Sequence, residues 1–181
     1  MARTDVLVDT GPLVGLLSER DQYHAWAKRQ AARLEWPFYT CEAVLSEAFH
    51  LLEDTPQGGA KLLALLERGF VEVPFAYADH AGPVRELMRT YADQPMSFAD
   101  AGLVRMAEVR RSAQVFTTDA DFRVYRTTGG EAHRKGMTRE GYSVADRADH
   151  RHASLRLRRL CAGVGAEAVD EIKVSLYCPA S

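Results

Sequence analysis

No run of about 18 apolar residues occurs in the 181-residue chain, so no membrane-spanning helix is expected. The opening MARTDVLVD enters an apolar run broken by an aspartate, which is not the pattern of a secretory leader. Cysteine is scarce. Cys41, Cys161 and Cys178 are odd in number and far apart, which excludes a disulfide framework and zinc-binding spacing. They fit reduced thiols in a cytoplasmic protein. An excess of one charge is missing too: the formal net charge is −2. The chain as a whole is no magnet for polyanions, although local patches rather than the sum decide binding. What is abundant is apolar surface. At 46% hydrophobic, the chain can fill a core, and its length suits one domain with an appendage.

Short apolar runs alternate with helical patterns. Asp5–Asp9 (DVLVD) predicts a buried strand, and Gly11 and Pro12 punctuate before a short helix. Asp21 is the expected N-cap of a helix to about Leu34. Phe38–Cys41 is a second strand, followed by a helix from Glu42 to Leu52 and another ending at Arg68, where Gly69 acts as a stop. Val71–Phe75 is a third strand whose Pro74 favours an edge or a strand end. Helices at Asp79–Tyr91 and Phe98–Arg111 precede a fourth strand, Gln114–Asp119. This alternation predicts an α/β fold with a short, mainly parallel sheet.

Four carboxylates stand out against that frame. Asp9 and Asp119 end the two best strands, where open parallel sheets bind ligands. Each also suits a helix N-cap or a turn. Asp100 shares a helical face with Leu103, Val104 and Ala107. Glu47 lies in CEAVLSEAFHLL, a helix apolar nearly all round and therefore expected to be buried. Its carboxylate either bonds a local donor, pairs with an arginine, or serves a site. A charge buried alone costs several kcal/mol, on the order of what a domain can spare. One explanation covers all four acids: a hard divalent cation, Mg²⁺ or Mn²⁺, which takes oxygen ligands. Thr10 and Thr118 are candidates to support the acids with hydroxyls, and Asp121 is a candidate extra member or a cap on the next turn. Acids with no dedicated nucleophile suit metal-assisted hydrolysis of a phosphodiester.

At these residues the sequence resembles the PIN-domain family, and within it the VapC-like toxins of toxin–antitoxin pairs. The resemblance spans roughly residues 4 to 126. It rests on LVDTGPLVGLL with DQYHAWA, then CEAVLSEAFHLL, YADQPMSFADAGLVRMAE and VFTTDADFRVY, in that order. It implies a three-layer α/β/α fold and an endoribonuclease acting on RNA with Mg²⁺ or Mn²⁺. On the matching positions the implied catalytic cluster is Asp9, Glu47, Asp100 and Asp119, with Asp9, Asp100 and Asp119 on the metal. A homodimer and a small neutralising antitoxin are implied as well. Ser97 stands where relatives often carry another acid.

Other classes fit less well. An aspartyl phosphatase would want D-x-D after the first strand, and the chain has Asp9-Thr10-Gly11. A receiver-like domain would want a lysine after a late strand, where TTDADF stands instead. A non-catalytic interaction module with relic acids stays open. Arg105, Arg110, Arg111, Arg123 and Arg126 can contact phosphate or form a solvated face. Trp26, Trp36 and Tyr39 can stack bases or pack the core. The divide is expected near residue 128: a nuclease-like domain over 1–128 and an irregular C-terminal extension over 129–181. Residues 129 to about 152 lack apolar period and are expected to be loosely packed.

Overall fold

Val6, Leu7 and Val8 form β1, and all three are fully buried, as a strand covered on both faces must be. The structure is a computed structural model that describes residues 4–94, 96–110, 113–123 and 125. The expectations for 129–181 lie outside the described residues. From β1 the chain runs through α1 (Thr10–Leu17) and α2 (His24–Ala31) to β2 (Phe38–Tyr39). Helices α3 (Glu42–Leu51) and α4 (Gly58–Glu67) lead to β3 (Val71–Glu72). Then α5 (Tyr77–Thr90) and α6 (Phe98–Val109) lead to β4 (Gln114–Phe116), followed by a 3₁₀ turn at Ala120–Arg123.

The strands pair in parallel in the order β3-β2-β1-β4. With helices on both sides this is the expected α/β/α arrangement with a short parallel sheet. From β1 the chain builds outward to β2 and β3, then returns to the other side of β1 with β4. The order therefore reverses between β1 and β4, and the crevice beyond their carboxyl ends is where such sheets bind ligands. Beneath it, Phe38 and Phe116 meet edge to face at 5.8 Å, with Trp26 on Phe116 and Trp36 stacked on Phe38.

The elements are shorter than their apolar runs, for physical reasons. Asp21 does not cap α2: its carboxylate accepts the Tyr23 amide at 2.7 Å in a turn, and the helix starts at His24. After Ala31 the backbone closes tighter bonds, Arg33 to Gln30 and Leu34 to Ala31, so the apolar pattern runs past the helix. β2 stops at Tyr39 because Cys41 already caps α3. β3 stops at Glu72, on the sheet edge, just before Pro74, which has no amide to donate. Gly69 follows α4 at φ +67°, the left-handed stop expected of it.

One glycine brings the two site-bearing strand ends together. A Cβ on Gly11, in the first turn of α1, would lie 2.1 Å from Thr118 Oγ1 and 3.3–3.4 Å from its Cβ and Cγ2. Rotating Thr118 cannot clear all three atoms. Gly11→Ala should cost about 1–3 kcal/mol by overpacking, read as a lower midpoint in thermal denaturation. An unchanged midpoint would mean that the loop after β4 gives way freely.

Candidate functional site

The site grows out of the register of β1 on β4. Val8 pairs with Phe116, and the Asp9 amide donates to the Phe116 carbonyl at 3.0 Å. The next cross-strand pair is thus Asp9 with Thr117, side by side on one face. The Thr117 hydroxyl donates to Asp9 Oδ2 at 2.6 Å, and the Thr10 amide donates to Oδ1 at 2.7 Å. Asp9 is therefore both the N-cap of α1 and the floor of the crevice, only 8% exposed. Burial, above all, raises its pKa to about 6. The two hydrogen bonds pull the other way, and the charges of Asp100 and Asp119 add to the rise.

Asp100 comes from the first turn of α6. Its Oδ2 accepts the Ser97 amide at 2.8 Å, while Ser97 Oγ accepts the Asp100 amide at 3.0 Å, a reciprocal cap. The inward aspartate on an apolar face is thus explained locally by capping. The cap also fixes the carboxylate in the crevice, 8% exposed. Burial first, then the charges of Asp119 and Glu47, push its pKa above the ordinary aspartate value. Asp119 is half-buried; its amide donates to Thr117 Oγ1 at 2.9 Å and its Oδ1 accepts the Asp121 amide at 2.8 Å. Asp119 thus caps the 3₁₀ turn at Ala120–Arg123 with its side chain, and Asp121 supplies the capped amide from the turn's second position.

Two expectations are corrected. Glu47 is exposed, not buried, because α3 fully buries only Val44 and Ala48, half-buries Ala43, Leu45 and Phe49 against the core, and leaves Glu42, Ser46, Glu47, His50 and Leu51 to solvent. Its Oε2 accepts the Thr10 hydroxyl at 3.0 Å, which draws it to the rim of the crevice. The supporting hydroxyl beside Asp119 is Thr117, not Thr118. Thr117 is fully buried, and its side-chain bonds replace the ladder that the run VFTTD was expected to extend. Period-two alternation from Val115 would have singled out Thr117 once Val8 was set against Phe116. Sequence reasoning also passed over Tyr125. Its ring packs edge-on against Tyr91 and Phe122, it is 1% exposed, and among the described residues its buried hydroxyl has no hydrogen-bond partner. Burial raises its pKa, and the nearby charges of Asp100, Asp121 and Asp119 add to the rise. No motif flagged it.

Among the described residues, no group of three or more His, Cys, Asp or Glu side chains is gathered closely enough to hold a metal ion directly. The donor chemistry nevertheless fits a hard cation. All four acids offer oxygen donors, the kind such an ion takes, and each has an oxygen steadied by a hydrogen bond. Such a set suits an ion that keeps several waters, as Mg²⁺ does.

The other candidates pack or pair elsewhere. Trp26 and Trp36 lie against core aromatics. Arg110 pairs with Asp5 and covers the Tyr39 ring at 4.1 Å, at the amino ends of the strands. Arg105 pairs with Glu108 on its own helix. Arg111, Arg126 and the side chain of Arg123 lie outside the described residues. Among the described residues, no helix is long and apolar enough to cross a membrane.

A short parallel sheet with carboxylates gathered at its switch point defines a small α/β domain with an acidic crevice. Its sequence matches the family model of the PIN domain over residues 6–127, and the chain belongs to that family. No curated protein matches the chain.

Proposed function

We propose that the protein is a metal-dependent endoribonuclease that hydrolyses RNA phosphodiester bonds, the VapC-like toxin of a toxin–antitoxin pair. The observation that carries this is that Asp9 and Asp100 are both nearly buried and both pushed above the ordinary aspartate range, first by burial and then by neighbouring charges, with Asp119 acting on each. Charge held against its own repulsion in a crevice marks a functional site better than a structural one. Asp9, Asp100 and Asp119 would hold Mg²⁺ or Mn²⁺, with Glu47 at the rim and Thr10, Thr117 and Asp121 fixing the carboxylates. When bound, the ion supplies Lewis acidity and an activated water at neutral pH. The protein's own part is to hold the acids rigid, through Thr117 on Asp9 and Ser97 on Asp100, and to exclude bulk water from the crevice floor.

The partners follow from the same chemistry. A crevice of carboxylates is complementary to a cation, so the antitoxin would be a small protein that inserts an arginine or lysine. A homodimer, a cytoplasmic setting and a nuclease domain ending near residue 128 complete the proposal.

The test is direct. Purified protein is incubated with RNA in Mn²⁺, in Mg²⁺ and with chelator, and melted under the same conditions. Cleavage is expected only with metal. Mn²⁺ at a hundredfold excess over its dissociation constant should add about 2.7 kcal/mol of stability. A melting temperature indifferent to millimolar metal, with intact RNA, would favour a non-catalytic PIN-like interaction module instead.

A further inference from the structure

A cavity of about 170 Å³ opens at the same end of the sheet as the acidic crevice and shares none of its acids. Its floor is Cys41, Phe75 and Gly102, all buried, and a Cβ on Gly102 would already press on Cys41 Sγ at 3.0 Å. Burial, first of all, raises the pKa of the Cys41 thiol, so this wall is neutral. The rim is Tyr77 and Phe98, 45% and 46% exposed, whose rings meet edge-on at 5.1 Å, and the exposed Glu42. The position follows from the topology. Cys41 comes after β2 and Phe75 after β3, and all strands run parallel. Thr40 ties the end of β2 to β1 by donating to the Val8 carbonyl at 2.9 Å. The start of α6 stands between cavity and crevice: Phe98 and Gly102 share one helical face, and Asp100 points to the other side. The separation is thus on the order of a helix diameter, about 10 Å.

What fits the cavity is restricted. The volume is that of one aromatic ring, since an apolar cavity of about 150 Å³ takes benzene. Exposed aromatic rings beside an apolar hollow mark a binding surface. Trp26 and Trp36 pack on core aromatics, whereas Tyr77 and Phe98 face solvent. Glu42 repels phosphate, so a nucleic-acid backbone stays outside and only a base enters. A carboxylate accepts hydrogen bonds and donates none, which suits the amino group of cytosine and opposes the oxygen that uracil carries in its place. Single-stranded RNA is read in this way, by splayed bases stacked on aromatic side chains and bonded at their edges. We infer that the cavity is a base subsite: it takes a pyrimidine, cytosine in preference to uracil, from the strand cut in the crevice, with Tyr77 and Phe98 stacking it and Glu42 accepting from its amino group. This rests on the RNA-cleaving reading proposed above and gives it a sequence preference close to the scissile bond.

Labelled oligocytidylate and oligouridylate are titrated with the full chain under chelator, which withholds the metal needed for cleavage, and binding is read by fluorescence anisotropy. Tyr77→Ala, Phe98→Ala and Glu42→Gln are treated alike, and each protein is melted. The parent should bind oligocytidylate more tightly than oligouridylate. Each alanine variant should bind oligocytidylate about tenfold more weakly, the usual loss for a stacked base. Glu42→Gln should lose the preference for cytosine, because an amide also offers a donor to the uracil oxygen. Melting temperatures should stay close to the parent's, since all three side chains reach solvent. Should an alanine variant melt lower, Glu42→Gln decides. Equal binding of the two oligonucleotides by the parent, or variants that bind as the parent does, overturns the inference while Mn²⁺-dependent cleavage leaves the nuclease reading standing; the aromatic rim is then open to a protein's apolar side chain. A parent that binds neither oligonucleotide and cuts no RNA overturns the nuclease reading, and the subsite with it.

Discussion

Asp9→Asn is expected to abolish RNA cleavage and, in the absence of metal, to give a protein more stable than the parent at neutral pH. The carboxyl is nearly buried and its pKa stands at about 6, against 3.8 for an ordinary aspartate. The folded protein thus holds this proton more tightly than the unfolded chain. Between about pH 4 and pH 6 the unfolded state ionises first, so stability falls as pH rises through that window and levels off above it. The ionised carboxylate costs the fold about 3 kcal/mol at neutral pH. Asparagine removes the charge and is as good an N-cap for α1. The metal-free variant should therefore gain about 1–3 kcal/mol at pH 7 and nothing at pH 4. Mn²⁺ should no longer stabilise it. Urea melts at the two pH values, with and without Mn²⁺, separate these effects. Retained cleavage in Asp9→Asn would remove Asp9 from the catalytic set, and a loss of stability at pH 7 would refute the cost assigned to its buried charge.

Phe116→Ala is expected to cost about 3–5 kcal/mol, a large share of the 5–15 kcal/mol typical of a domain. Phe116 is fully buried between Trp26 and Phe38, and truncation opens a cavity under the middle of the sheet. Its backbone carbonyl is the acceptor for the Asp9 amide, so a sagging β4 also loosens the crevice. Whatever fraction stays folded should bind Mn²⁺ less well than the parent. A loss below about 1 kcal/mol in chemical denaturation would indicate that the aromatic cluster closes the gap by itself.

These effects explain what could and could not be read from the chain alone. β1 and β4 were visible because full burial imposes uninterrupted apolar runs such as Val6–Val8. Asp9, Asp100 and Asp119 were visible because an acid at the end of such a run, or on the apolar face of a helix, conflicts with its surroundings. Glu47 was misjudged because Leu45, Phe49 and Leu51 make α3 look buried all round, yet Leu51 is 57% exposed. Composition cannot say which apolar residues a helix leaves outside. Thr117 was missed in favour of Thr118 because the choice depends on cross-strand register, a tertiary fact. Tyr125 was invisible because a tyrosine whose hydroxyl is buried looks, in sequence, like any other. Strand and helix ends were overrun wherever a side chain, such as those of Asp21 and Thr117, took backbone amides for itself.

Asp9 and Thr117 touch across 108 positions of chain. Contacts of such long range form slowly, since the intervening segment must first be brought round. During synthesis, a chain that ends before Gln114 carries Asp9 without the Phe116 carbonyl, the Thr117 hydroxyl or Asp119. Its acids remain solvated, its β1 edge stays open beside Val6–Val8, and nothing holds the crevice. Only when β4 seats does the pocket close, almost the last event available to the PIN region. A protein that cuts RNA on that crevice would be harmless to the message it is being read from until nearly all of the PIN region has left the ribosome.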